Sequence, residues 1–168
     1  IVDRFPVSAR LGGLSMAAAL IVGIPLGSIA ALKRGKWIDK VITVIATCGA
    51  AFPSFIICTV GMYIFGVWLG WLPTLGLTSP LHYLLPVFAL SFYPTSYITR
   101  LMRSSMLDVI GQDYIRTARA KGFSQMRCLF MQALRNAVLP VITYAGPMLA
   151  YLLAGTFVVE KIFVIPGL

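Results

Sequence analysis

The chain has 168 residues, 59% of them apolar and only 11% charged, with a mean hydropathy of +0.89. A soluble domain carries about 25% charged residues, so too few are present here to dress a water-facing surface, and the apolar content excludes disorder. Fourteen Lys and Arg against five Asp and Glu leave a formal charge of +9, and its placement decides between a nucleic-acid surface and a membrane topology.

Three stretches carry no Asp, Glu, Lys or Arg: Leu11–Leu32 (22 residues), Val41–Thr99 (59) and Asn136–Val159 (24). A hydrocarbon core of about 30 Å takes roughly 20 helical residues to cross. The runs therefore predict one, two and one crossings, an all-α polytopic membrane bundle with no nucleic-acid role. Its spans lie at about 8–32, 40–68, 82–100 and 137–159, within one domain covering 1–168. Four basic residues (Lys33, Arg34, Lys36, Lys40) separate the first two spans. Seven more (Arg100, Arg103, Arg116, Arg119, Lys121, Arg127, Arg135) separate the last two, and the turn-around at Leu69–Tyr83 has none. Positive loops alternating with neutral ones place the basic segments in the cytoplasm and Gly70–Pro80 outside, with Arg4 and Arg10 the outer exceptions. The first residue is Ile and the last three are Pro-Gly-Leu, so the sequence reads as a piece of a longer protein. The first run exceeds the 7–15 residues of a signal-peptide core and precedes basic residues, so it reads as a span.

In the first span Ser15, Ala19, Gly23, Gly27 and Ala31 recur at i+4. Membrane helices associate where small side chains let backbones approach, so this stripe predicts a packing face; Pro25 within it predicts a bend. The second span holds Pro53 in Phe52-Pro53-Ser54-Phe55, the third Pro86 and Pro94, and the fourth Pro140 and Pro147. Bent helices suit a cavity or helices that rock against one another, although proline is also simply more frequent in membrane helices. Trp68 and Trp71 mark an interface. Cys48, Cys58 and Cys128 lack metal or redox spacing and read as small buried hydrophobes. No ionisable group lies mid-span, which argues against an ion-coupled pump.

The stretch Asp108–Arg135 is 28 residues long, too long for a minimal connection and too polar for a span. Asp113 is placed to cap a helix Tyr114–Lys121, whose Arg119 and Lys121 suit its C-terminal dipole. Gly122 stands where a left-handed residue ends a helix. Ser124 then caps a second helix with Met126, Leu129, Phe130, Ala133, Leu134 and Ala137 on one face. Taken alone, this helix–Gly–helix segment reads as an amphipathic pair on anionic lipid, as a solvated loop, or as a knob that docks on another protein.

The run Asp113-Tyr114-Ile115-Arg116-Thr117-Ala118-Arg119-Ala120-Lys121-Gly122, followed by Ala133-Leu134-Arg135-Asn136-Ala137 and Leu139-Pro140, resembles the cytoplasmic signature of binding-protein-dependent ABC importer permeases. The resemblance is to the dipeptide, oligopeptide and nickel branch. Arg4-Phe5-Pro6, Gly23-Ile24-Pro25-Leu26-Gly27, Pro53-Ser54-Phe55, Gly70-Trp71-Leu72-Pro73, Val158-Val159-Glu160 and Pro166-Gly167-Leu168 extend it over nearly the whole chain. The general Glu-Ala-Ala of the signature is here Arg116-Thr117-Ala118, and the gap from Gly122 to Leu139-Pro140 is long; both departures are typical of the peptide branch.

The resemblance implies a permease subunit of the prokaryotic cytoplasmic membrane that imports di- or oligopeptides, or nickel or another small solute. Its implied partners are a second homologous permease, two ATPase subunits and an external substrate-binding protein. ATP and Mg would be bound by the ATPases, with no cofactor, metal or catalytic residue in this chain. Residues Asp113, Tyr114, Arg116, Thr117, Ala118, Arg119, Ala120, Lys121 and Gly122 would couple it to an ATPase cleft. Thr117, Ala118 and Ala120 would allow close approach, while Arg116, Arg119 and Lys121 would pair with acids. Pro53, Ser54, Pro94 and Pro147 would shape the translocation path, and family members carry a further span on either side. Gly35-Lys36 lacks the flanking residues of a nucleotide-binding P-loop. A hydrolase would have to use the single histidine, His82, with no GxSxG nearby; a simple channel would leave the 108–135 segment without a partner.

Overall fold

The computed structural model describes residues 5–74, 76, 79–124 and 127–165. Its architecture is helical. Helix α1 spans Phe5–Leu32, α2 Trp37–Ala51 and α3 Ser54–Gly61, which runs on as a π-helical segment Met62–Trp68. A short 3₁₀ turn at Pro80–Tyr83 leads into α4, Leu84–Ile110, then α5, Asp113–Ala120. A π-helical turn at Cys128–Ala133, α6 at Leu134–Ala137 and α7 at Leu139–Ile162 follow, forming one apolar helix of 35 residues.

The small-residue stripe of α1 is a packing face. Ser15, Ala19, Gly23, Gly27 and Ala31 are all buried, and α1 lies along α4. The approach is close enough that a methyl added at Gly27 would fall 2.5 Å from the Thr99 carbonyl oxygen. One added at Gly23 would fall 2.8 Å from Ile98 Cγ2. Such a seam forms only where the side chain is a hydrogen atom or little more. Pro25 sits inside α1, and the helix continues through it.

Pro53 behaves differently. The second predicted span is divided there: α2 ends at Phe52, whose φ −86° and ψ 125° are extended, and α3 begins after Pro53. The two arms turn by 101°. A residue before proline is driven out of the helical region by the proline ring, so Phe52 cannot continue α2. With 15 residues, α2 alone is about 22 Å long at 1.5 Å per residue, short of a crossing.

The four expected spans fall on α1, the bent α2–α3 pair, α4 and the Cys128–Ile162 helix. Two helices, α1 and Cys128–Ile162, are long and apolar enough to cross a membrane, and the bent α2–α3 pair makes a third if counted as one. Helix α4 has the length, 27 residues, but is studded with Ser, Thr and Tyr. It is the central helix, packed on α1, α2, α3 and α7, so protein rather than lipid covers much of it. Its buried hydroxyls bond back to their own helix, Ser91 to Phe88 O, Ser96 to Phe92 O and Thr99 to Thr95 O. Pro86 falls in the first turn of α4, where a missing N–H costs nothing; Pro140 follows the turn at Val138 between α6 and α7, and Pro94 and Pro147 are interior.

Contacts fix the two ends of the bundle. Arg103 pairs with Asp39, bringing both basic segments to one end. At the other, Gly76 N–H donates to Phe163 O, holding the charge-poor loop beside the end of α7, where Val159 and Glu160 are buried. Trp68 and Trp71 are exposed, as an interfacial position requires. His82 bonds Ser79 at 2.9 Å within a capping turn, a structural post for the residue a hydrolase would have needed. Cys58 and Cys128 are buried as expected, but Cys48 is exposed. Arg4, Met126 and Pro166-Gly167-Leu168 lie outside the described residues.

Candidate functional site

Two features stand out, one at the basic end and one at mid-depth. At the basic end α5 hangs from α4 by only Gly111 and Gln112, and the turn is tied by Gly111 N–H to Leu107 O and Gln112 N–H to Val109 O. The cap residue is Gln112, which makes no side-chain cap hydrogen bond; Asp113 is the first helical residue, not the cap expected from sequence. Asp113 and Arg116 approach at 3.7 Å with both side chains in water, a pair of little energetic consequence.

Ile115 (1% exposed) and Ala118 (6%), one turn apart, face inward and anchor α5 on the Cys128–Ala133 turn. Ala118 is thus turned into its own chain, and the close approach expected of it falls to Thr117 and Ala120. Arg116, Thr117, Arg119, Ala120 and Lys121 are exposed together, giving a short helix whose outer side carries Arg116, loosely paired with Asp113, and Arg119, with Lys121 at its C-cap. The Tyr114 hydroxyl accepts a 2.8 Å bond from Asn136 Nδ2, which fixes α5 to α6.

Gly122 ends the helix as expected, at φ +85°. Its N–H donates to Arg119 O and the Phe123 N–H to Ala118 O, the two bonds of a Schellman cap. Ser124 Oγ accepts from Arg127 N–H at 3.4 Å, capping the next helix as expected. The apolar face read there is partly displaced. Leu129, Ala133 and Ala137 are buried, but Phe130 is 60% exposed and Cys128 is buried instead. The cause is the π-helical turn: its i→i+5 bonding changes the residues per turn, so an α-helical period misplaces the face.

At mid-depth, the break after α2 opens a cavity of about 250 Å³. Phe52, Pro53 and Ser54 form one wall, Tyr93 and Pro94 of α4 a second, and Met148 and Tyr151 of α7 a third. An adjoining space of about 260 Å³ shares Tyr93, Met148 and Tyr151 and adds Tyr144 and Pro147. Pro53, Ser54, Pro94 and Pro147, scattered over 95 positions of sequence, are therefore gathered around one pair of hollows. Sequence reading missed the tyrosines. Tyr97 and Tyr144 stack at 4.1 Å between centroids, Tyr93 and Tyr151 lie 6.2 Å apart, and the Tyr144 hydroxyl donates to Met148 Sδ at 3.3 Å. Tyrosine favours membrane interfaces over hydrocarbon, so four of them near the middle of two helices were the available signal. A larger groove of about 450 Å³ between α1, α2 and α4 is walled by Val22, Leu26, Ile45 and Phe88. The hydroxyls of Ser91, Ser96 and Thr99 in its lining are committed to their own helix.

Residues 23–168 match the family described as binding-protein-dependent transport system inner membrane component. The chain belongs to that family. It is 47% identical over 164 residues to the dipeptide transport system permease protein DppB of Bacillus subtilis (strain 168), covering 98% of this chain and 53% of the relative. It is 44% identical over 168 residues to the glutathione transport system permease protein GsiC of Salmonella choleraesuis (strain SC-B67), covering all of this chain and 55% of the relative. The GsiC of Escherichia coli (strain K12) is 42% identical over the same length. The chain spans about half the length of these curated relatives. Among solved structures, an inward-facing conformation of the MetNI methionine ABC transporter superposes with a TM-score of 0.78 at 18% identity, covering 99% of this chain and 75% of that one. This establishes a shared fold, a helical membrane bundle.

Proposed function

We propose that the protein is a transmembrane subunit of an ATP-driven importer in the cytoplasmic membrane, carrying di- or oligopeptides through the tyrosine-walled hollow. The observation that carries the reading is that one helix joins both features. Helix α4 supplies Tyr93 and Pro94 to the cavity and ends at α5, whose cationic outer side is exposed. A membrane helix that links a polar hollow to a projecting docking helix is built to transmit motion. The names of the similar permeases, dipeptide and glutathione transport, support small peptides as the cargo.

In this reading α5 seats Thr117 and Ala120 against an ATPase subunit, with Arg116, Arg119 and Lys121 facing acidic groups. A second homologous permease completes the path, an external binding protein delivers the peptide, and the ATPases hold ATP and Mg. The full-length protein, co-expressed with the companion subunits and reconstituted in vesicles, should take up labelled dipeptide only with ATP and binding protein. A Thr117→Cys variant should form a disulfide with a cysteine in the ATPase cleft. Uptake without ATP, or of nickel but not peptide, overturns the reading.

A further inference from the structure

Asp39 is the single acid within the first basic segment, surrounded by Lys33, Arg34, Lys36 and Lys40. Its carboxylate nonetheless pairs with Arg103, 64 residues further on. Arg103 Nε donates to Asp39 Oδ1 at 2.6 Å and Nη2 to Oδ2 at 2.9 Å, a two-pronged fork. Gly35 N–H adds a third bond at 2.9 Å to Oδ2 and Thr43 Oγ1 a fourth at 3.3 Å to Oδ1. Gly35 reaches it because its φ is +79°, a turn that glycine adopts without strain. Asp39 is 4% exposed, whereas the neighbouring lysines stay in water. The planar guanidinium suits this site: it loses less hydration than an ammonium and matches both carboxylate oxygens at once.

The two residues sit at a mechanical junction. Arg103 is on α4, seven residues from its end and ten before α5 begins. Asp39 is in the first turn of α2, whose far end is the Phe52–Pro53 break that walls the cavity. Apolar contacts between α2 and α4 tolerate sliding. A two-pronged fork does not, because slippage by one position would leave the buried Asp39 carboxylate without its partner.

We propose that the Asp39–Arg103 fork is a positioning tie that makes α2, and with it the Phe52–Ser54 wall, follow the movement of α4 and α5. The proposal rests on the transport reading above and assigns the pair no contact with the cargo. Its signature is the number of ATP molecules hydrolysed per peptide imported, which a role in stability alone would leave unchanged for each assembled transporter.

In the reconstituted full complex, Arg103→Lys keeps the charge and loses the fork. Uptake per assembled transporter should fall about tenfold, the worth of one charge-assisted hydrogen bond, while ATP hydrolysis stimulated by the binding protein changes little. The Asp39→Asn, Arg103→Gln double variant strands no charge and should assemble like the parent, yet show the same loss of coupling. Uptake and hydrolysis falling in parallel, or neither falling, overturns the tie. A second measurement is independent of transport. Spin labels at Asp108 on α4 and Phe55 on α3 should keep their separation when Mg·ATP and vanadate are added to the parent, and change it in Arg103→Lys. Equal behaviour of the two overturns the proposal. If the parent imports no peptide, the transport reading falls while the labels still judge the tie.

Discussion

Pro25 and Pro53 stand in helices of similar apolarity and have opposite outcomes. Helix α1 passes through Pro25 without interruption, whereas the chain turns by 101° at Pro53. Each proline removes one backbone donor and crowds the preceding turn. What differs is the surroundings. On both sides of Pro25, α1 is pressed by Gly23 and Gly27 against the backbone of α4, and that seam holds the helix in register. At Pro53 the adjoining side chains, Phe52 and Phe55, are exposed and a hollow lies alongside, so nothing opposes the extended geometry that proline imposes on Phe52. Proline supplies the tendency to break; packing decides whether the break occurs.

The strongest way to test this contrast is to damage the seam. Gly27→Leu would drive a side chain into Thr99 and Met102, and overpacking of this kind costs about 3 kcal/mol at its upper end. Most of the protein should fail to reach the membrane in folded form, measured by the monodisperse fraction after detergent extraction. Next is the break itself. Pro53→Ala should let α2 run on into α3, and labels at Val44 and Tyr63 should move apart by about 10 Å, from the 1.5 Å rise per residue. Uptake should drop while extraction remains normal; an unchanged distance would show that the hollow, not the proline, sets the turn. The smallest effect belongs to Pro25→Ala, whose melting temperature should correspond to a change of no more than about 1 kcal/mol, since neighbouring groups already compensate the missing bond. A large shift there would mean that α1 is strained.

How far the structure could be read from sequence follows the range of the forces involved. The α1 stripe and Gly122 were legible because a helix period and a left-handed turn are local matters. The membrane class was legible from charge-free length. By contrast, spacing rules carry no information on Asp39 and Arg103, which meet only because α2 and α4 lie side by side. Ala118 looked free because its neighbours are polar, yet the i+3 relation to Ile115 turns it inward. Phe130 was misplaced because an α-helical period was applied across a π-helical turn. At the mid-depth site the prolines were recognised individually, but the tyrosines that wall the same hollow were not, since their partnership spans α4 and α7.

The footing of α5 has a consequence for how the hollow can change shape. Helix α5 hangs from the end of α4 but stands, through Ile115, Ala118 and the Tyr114–Asn136 bond, on the start of the final helix. It is a crossbar between two uprights that carry the four tyrosines. A push on the crossbar reaches both uprights at once, so the Tyr97–Tyr144 stack travels as a unit and the two tyrosine walls do not part. With the third wall, Phe52–Ser54, held to α4 through the proposed Asp39–Arg103 tie, the hollow moves as a block and keeps its aperture.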